Sequence, residues 1–265
     1  MNAVAVELYR RGPWLVRIAL AHVLVLLLLL TLMLLDDREL LGVSVWLKPA
    51  KFALSIAVYL LTLAWLLGEL RQARWLVGLI TLVVIVSMCV EQATITLQAA
   101  RGTTSHYNEA TAFDAAVFSL MGFGVAANSA AAFVALLLFL RESDRARPGY
   151  WWGIRLGLVV FLLGSVQGFV MIFNSGHTVG AADGGPGIPL FGWSAAAGDL
   201  RIAHFIGVHA IQVLPLAGWL LDRLLRGQPW RLVGIATVTV IYAGFGLIAH
   251  VVALAGQSWF AWAAA

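Results

Sequence analysis

Runs of about twenty apolar residues recur along this chain, and they constrain its fold more than any other feature. Twenty helical residues rise about 30 Å, the thickness of a bilayer's hydrocarbon core. The first run includes "ALAHVLVLLLLLTLMLL", residues 19–35, in which His22 and Thr31 are the polar side chains. Seven spans of this kind can be drawn, at about 14–35, 47–67, 75–98, 112–140, 152–175, 201–221 and 231–255, each bounded by charge, Gly or Pro. Inside hydrocarbon a spanning segment must satisfy its own backbone polar groups, so runs of this length are expected to be helices. The expected fold class is all-α, a polytopic integral membrane protein built as a seven-helix transmembrane bundle, with 1–265 as a single transmembrane domain.

The charge pattern sets the orientation. Of the 17 Lys and Arg residues, twelve fall on one side of the spans and five on the other, the five being Arg38, Lys48, Lys51, Arg101 and Arg201. Cytoplasmic loops hold the basic excess, which predicts a cytoplasmic N-terminus and an extracytoplasmic C-terminus. The net charge of +4 comes from short clusters between apolar spans in a chain that is only 11% charged, so nucleic acid is not an expected partner. The lipid bilayer is, and the expected location is a cell membrane, the bacterial inner membrane. The N-terminal run shows no small-x-small cleavage site before Asp36 and reads as a retained span. A single cysteine, Cys89, rules out an intrachain disulfide and a zinc site built on cysteines.

Against this apolar background the stretch "EQATITLQAARGTTSHYNEATAFD", residues 91–114, is densely polar. At 100° per residue Glu91 shares a stripe with Ser87, Thr94 and Gln98, and Lys48 shares one with Lys51, Ser55, Tyr59 and Thr62. Asp114 and Asn128 lie on similar azimuths in the fourth span. In the sixth, His204 and His209 are about 140° apart with Arg201 and Gln212 between them, so this pair cannot ligate one ion as an i, i+4 pair does. Tyr242, His250 and Gln257 line the seventh. An ionisable side chain in hydrocarbon costs about 2.5 kcal/mol or more, so stripes of them predict a shared polar cavity, here in the outer half.

Each residue also has a plainer role. Glu91 can neutralise Lys48, Lys51 or Arg101, the lysines can snorkel to headgroups, and the histidines can bond neighbouring helices. The pairs Gly153/Gly157 and Gly164/Gly168 have the spacing of close helix packing, and the tryptophans near the span ends read as interfacial belts.

The chemistry expected of the polar set is membrane redox chemistry at b-type haem or a transition metal ion. His204, His209 and His250 are the candidate haem ligands. His106, His177, His204, His209 and Glu91 are the candidate metal ligands, with Glu91, Lys51, Arg201 and Asp114 as catalytic groups and quinol or another lipophilic molecule as substrate. Two further classes stay open: a metal-dependent intramembrane hydrolase, and an ion or small-molecule transporter or sensor. The glycine-rich loop at about 176–200 is long enough for a lid. His22 has no second histidine at its depth and is expected to take no part. The seventh span has no lysine for a retinal Schiff base.

Overall fold

The computed structural model describes residues 3–263. It is largely helical, with α1 (Ala3–Arg11), α2 (Pro13–Leu35), α3 (Leu47–Leu67), α4 (Arg74–Ala100), α5 (Ala112–Arg141), α6 (Pro148–Phe173), α7 (Leu200–Leu224), α8 (Trp230–Leu254) and α9 (Trp259–Trp262). Two short antiparallel pairs join helices: β1 (Glu39–Leu40) with β2 (Val43–Ser44), and β3 (Thr178–Val179) with β4 (Gly198–Asp199). Six helices, α2 to α6 and α8, are long and apolar enough to cross a membrane. The expected sixth span differs: α7 passes the same test only as two pieces, Leu200–Val208 and Ala210–Leu224, inclined by 45°. Pro215 lies within this helix and cannot donate to the carbonyl four residues back, a common cause of helix bending. Elsewhere the helix limits follow the apolar runs. α6 starts earlier than expected because Pro148 fits its first turn, where no backbone N–H is needed.

The chain divides into two compact units, Met1–Leu138 and Phe139–Ala265. In the first, α2 and α3 are joined by the β1–β2 hairpin, whose turn residues Leu41 and Gly42 both take positive φ, 54° and 76°. Such turns match the twist of the flanking strands. Asp36 holds this connection. It accepts from the Arg38 backbone N–H, the Arg38 guanidinium and the Trp46 indole N–H, the last at 2.8 Å. Those hydrogen bonds keep its carboxyl well below the usual range. Ala50, Ala53, Ala57 and Ala64 are buried along α3, and Leu29 of α2 packs with Val45, Trp46, Ala50 and Ala53. At the other end of α3, Arg11 of α1 pairs with Glu69 at 2.7 Å and stacks on Trp65 at 4.2 Å.

In the second unit α6 and α7 meet backbone to backbone. A Cβ on Gly153 would lie 2.4 Å from the Leu214 carbonyl oxygen, one on Gly157 2.9 Å from that of Ala210, and one on Gly164 2.7 Å from Gly207. The glycine spacing seen in the sequence is thus the seam of this helix pair, except that Gly168 faces the His204 ring. The seam ends at Asp222, whose two carboxylate oxygens accept from the backbone N–H groups of Gly149 and Tyr150 at 3.0 and 2.8 Å. α7 thereby caps the N-terminus of α6. α8 adds the Tyr242 hydroxyl, which donates to the Ile206 carbonyl at 2.6 Å, close to the bend in α7.

Candidate functional site

In the first unit four pieces of chain meet at one end: the first turn of α3, the last turns of α4, the 101–111 loop and the start of α5. Glu91 lies nine residues before the end of α4, about 13 Å along the helix axis. It is buried with a side chain 5% exposed. The loop after α4 turns at Gly102, with φ 71°, and again at Tyr107, with φ 57°, and it carries His106 against α4. The His106 Nε2 lies 3.5 Å from a Glu91 carboxylate oxygen, and its Nδ1 lies 3.1 Å from Lys48 Nζ and 3.1 Å from Ser105 Oγ. Phe52, Tyr107 and Phe118 surround the imidazole with ring centroids at 6.0, 6.0 and 6.2 Å.

The donor inventory fixes the tautomer. A lysine ammonium only donates, so the nitrogen facing it, Nδ1, must accept. A neutral His106 then carries its proton on Nε2, which faces the Glu91 carboxylate. The order is ammonium, imidazole, carboxylate, with formal charges +1, 0 and −1. A further proton has two destinations. On Glu91 it neutralises the buried carboxylate, and on His106 it turns the Lys48 contact into a repulsion.

Asp114 belongs to a neighbouring cluster with a different character. It accepts from Gln98 at 2.8 Å, from Thr111 Oγ1 at 2.6 Å and from the Arg101 guanidinium, while its own N–H donates to Thr111 Oγ1 at 3.1 Å. Thr111 thus caps the start of α5, its hydroxyl accepting from the Asp114 N–H and donating to the Asp114 carboxylate. Arg101 also donates to Gln98 and stacks on Phe113 at 4.6 Å. These bonds fasten the loop that carries His106. Lys51 is half-buried one turn beyond Lys48.

His177, Arg201, His204, His209 and His250 lie in the second unit. The Arg201 guanidinium forks onto Asp199, down to 2.6 Å, and donates to the Gly192 carbonyl. Asp199 also caps α7 through the Arg201 N–H and takes the Ser194 N–H at 2.7 Å. The pair closes the base of the glycine-rich loop. His177 meets Asp183 at 3.1 Å in the same loop. His204 Nδ1 lies 2.7 Å from the Gly164 carbonyl and His209 Nδ1 2.8 Å from that of Phe205. A carbonyl only accepts, so both imidazoles, when neutral, carry the proton on Nδ1 and offer the Nε2 lone pair. His209 continues a stack of rings, at 4.0 Å from Phe205, which lies 5.3 Å from Trp193. His250 Nδ1 is buried with no hydrogen-bond partner among the described residues.

The structure therefore brings Glu91 and His106 together, adds Lys48, and gives Arg201 and Asp114 carboxylate–guanidinium pairs that order loops. Among the described residues no three His, Cys, Asp or Glu side chains are grouped so that they could hold one metal ion. Sequence reasoning placed Lys48 on a polar stripe without its imidazole partner, and it passed over Asp199 and Asp222. Asp199 had a readable signal, an acid immediately before an apolar helical run. Comparison with protein-family models, with curated proteins and with solved structures gives no match.

Proposed function

We propose that this multi-pass membrane protein binds and releases a proton at Glu91 through a Lys48–His106–Glu91 relay, in the service of ion or small-molecule transport or sensing. The observation that carries this is the imidazole set between an ammonium at 3.1 Å and a buried carboxylate at 3.5 Å. A lysine alone would serve to neutralise Glu91. The interposed His106, supplied by a loop, adds a group that can pass a proton between the loop and the carboxylate. The groups facing the carboxylate are Lys48 from α3 and His106 from the loop, while Arg101 and Asp114 compensate each other beside them.

The test is difference infrared spectroscopy of the reconstituted full chain during a pH titration. A carboxylic C=O band should titrate, vanish in Glu91→Gln and move its midpoint in Lys48→Met and His106→Gln. A titration that the Glu91→Gln variant leaves intact would overturn the relay.

A second reading, b-type haem serving membrane redox chemistry, has one observation in its favour. His204 and His209 hold the Nδ1–H tautomer by bonds to backbone carbonyls, the arrangement of ligating histidines that offer Nε2. Visible spectra of the purified protein, oxidised and reduced, decide it: sharp reduced α and β bands that His204→Ala or His209→Ala removes support haem, and a colourless protein that binds no added haemin rejects it.

A further inference from the structure

We propose that the N-terminal end of α2 binds the phosphate of an anionic phospholipid, with Arg17 as the cation and Tyr9 and Trp14 as its flanks. This rests on the first unit alone and is independent of the relay.

Arg17 is exposed on the second turn of α2, four residues or about 6 Å from the helix start at Pro13. It shares a stripe with Leu20, Leu24 and Leu28, which are 58%, 68% and 58% exposed. In a membrane-spanning helix that stripe faces lipid, and a guanidinium placed there needs a counter-charge. The protein supplies one to each neighbouring arginine. Arg10 forks onto Glu7 at 2.8 and 2.7 Å, and Arg11 reaches Glu7 and Glu69, both at 2.7 Å. Arg17 has no carboxylate partner among the described residues. Its Nη2 donates to the Tyr9 hydroxyl at 2.5 Å, and its guanidinium stacks 4.8 Å from the Trp14 ring and 5.5 Å from that of Tyr9.

Those contacts orient the planar group without neutralising it, and they leave other N–H donors open. A guanidinium fork matches two phosphate oxygens, and tryptophan and tyrosine settle at headgroup level. Charge selects the headgroup. Glu7 and Glu69 offset Arg10 and Arg11, so the positive charge of Arg17 is left over. A net negative lipid answers it, whereas a zwitterionic one brings its own cation.

The experiment takes the purified full chain in mild detergent, with phosphatidylglycerol or phosphatidylcholine added, and reads lipid retention by native mass spectrometry together with the melting temperature. Wild type should retain phosphatidylglycerol preferentially and melt higher in its presence. Arg17→Gln should lose about fivefold in retention along with the melting shift. Arg145→Gln, an exposed arginine of the second unit, should keep both, and inorganic phosphate should give no shift. Equal retention of the two lipids, undiminished binding by Arg17→Gln, or an equal shift with inorganic phosphate would each overturn the proposal. Should Arg17→Gln fail to fold, Tyr9→Phe/Trp14→Leu, which keeps the charge and removes its orientation, must weaken retention for the proposal to stand.

Discussion

Replacing Gly153 by alanine is the sharpest test of how the second unit is held together. The added Cβ would stand 2.4 Å from the Leu214 carbonyl oxygen and 2.9 Å from the Pro215 Cα, where ordinary contact begins at 3.4 Å. α7 must therefore withdraw by about 1 Å, or α6 must rotate. Both neighbours are backbone, so no side chain can swing aside. The seam is also fixed on either side, by the Asp222 cap at Gly149 and by the Gly164–Gly207 contact. Overpacking of this kind costs about 1–3 kcal/mol, against a gain of up to about 1 kcal/mol from alanine's better helix propensity. The net expectation is a loss of about 1–2 kcal/mol, roughly a tenfold fall in the folding equilibrium constant. Gly244 of α8 is the control, because a Cβ there meets nothing within 4 Å. Gly244→Ala should leave stability unchanged or raise it by up to about 1 kcal/mol. Reversible unfolding in mixed micelles, followed by far-ultraviolet circular dichroism, measures both. If Gly153→Ala proves as stable as Gly244→Ala, backbone contact does not hold α6 against α7.

Three further outcomes follow from polar contacts. Asp222→Ala strands two buried N–H groups, at Gly149 and Tyr150, and should cost about 1–3 kcal/mol in the same assay with faster amide exchange at the start of α6. Asp199→Ala removes the cap of α7 and the anchor of Arg201, so limited proteolysis should begin within 192–201 while unfolding of α6 is little changed. Glu7 gives the pH dependence: hydrogen bonds from Arg10 and then Arg11 lower its carboxyl to about 2. A depressed folded value means that its contribution is complete above the ordinary glutamate value, about 4.3, and is lost as pH falls through the folded one. Protection factors of the α1 amides, corrected for the intrinsic pH dependence of exchange, should thus stay constant from neutral pH to about 4.3 and fall between there and about pH 2, with Glu7→Gln abolishing that fall.

The helices were legible because each follows from a local quantity, the length of an apolar run closed by charge, Gly or Pro. The seam of α6 and α7 was legible for the same reason, since glycines four apart on a span have one common use. The bend in α7 was not, although Pro215 was in view. A proline frees the carbonyl four residues back, here that of Ile211, whereas the bend falls at His209, beside the Ile206 carbonyl that the Tyr242 hydroxyl of a different helix takes. Helical azimuth likewise put Glu91 and Lys48 on polar stripes without giving them a common partner. His106 belongs to a loop whose path depends on Tyr107 adopting a positive φ and on the Thr111, Asp114 and Arg101 cluster, and none of these follows a helical period.

The acids carry the remaining weight of the functional reading. Asp36, Asp114, Asp199 and Asp222 lie at or near helix ends, and each accepts from a guanidinium or a backbone N–H that the end of a helix leaves free. Folding alone accounts for them. Glu91 is different: it stands nine residues inside a spanning helix whose backbone is already satisfied, so the helix has no use for its charge. A purely structural role would be met by one fixed cation. Instead the side chain facing it is an imidazole, with Nε2 3.5 Å from the carboxylate and the far nitrogen 3.1 Å from the lysine ammonium. If that arrangement serves only stability, Glu91→Gln with Lys48→Met should preserve both fold and function, because removing the two charges together leaves neither ion unpaired. If it carries a proton, the same double variant should fold as wild type does and lose its pH response. Comparing its unfolding free energy with its infrared titration separates the two roles within a single protein.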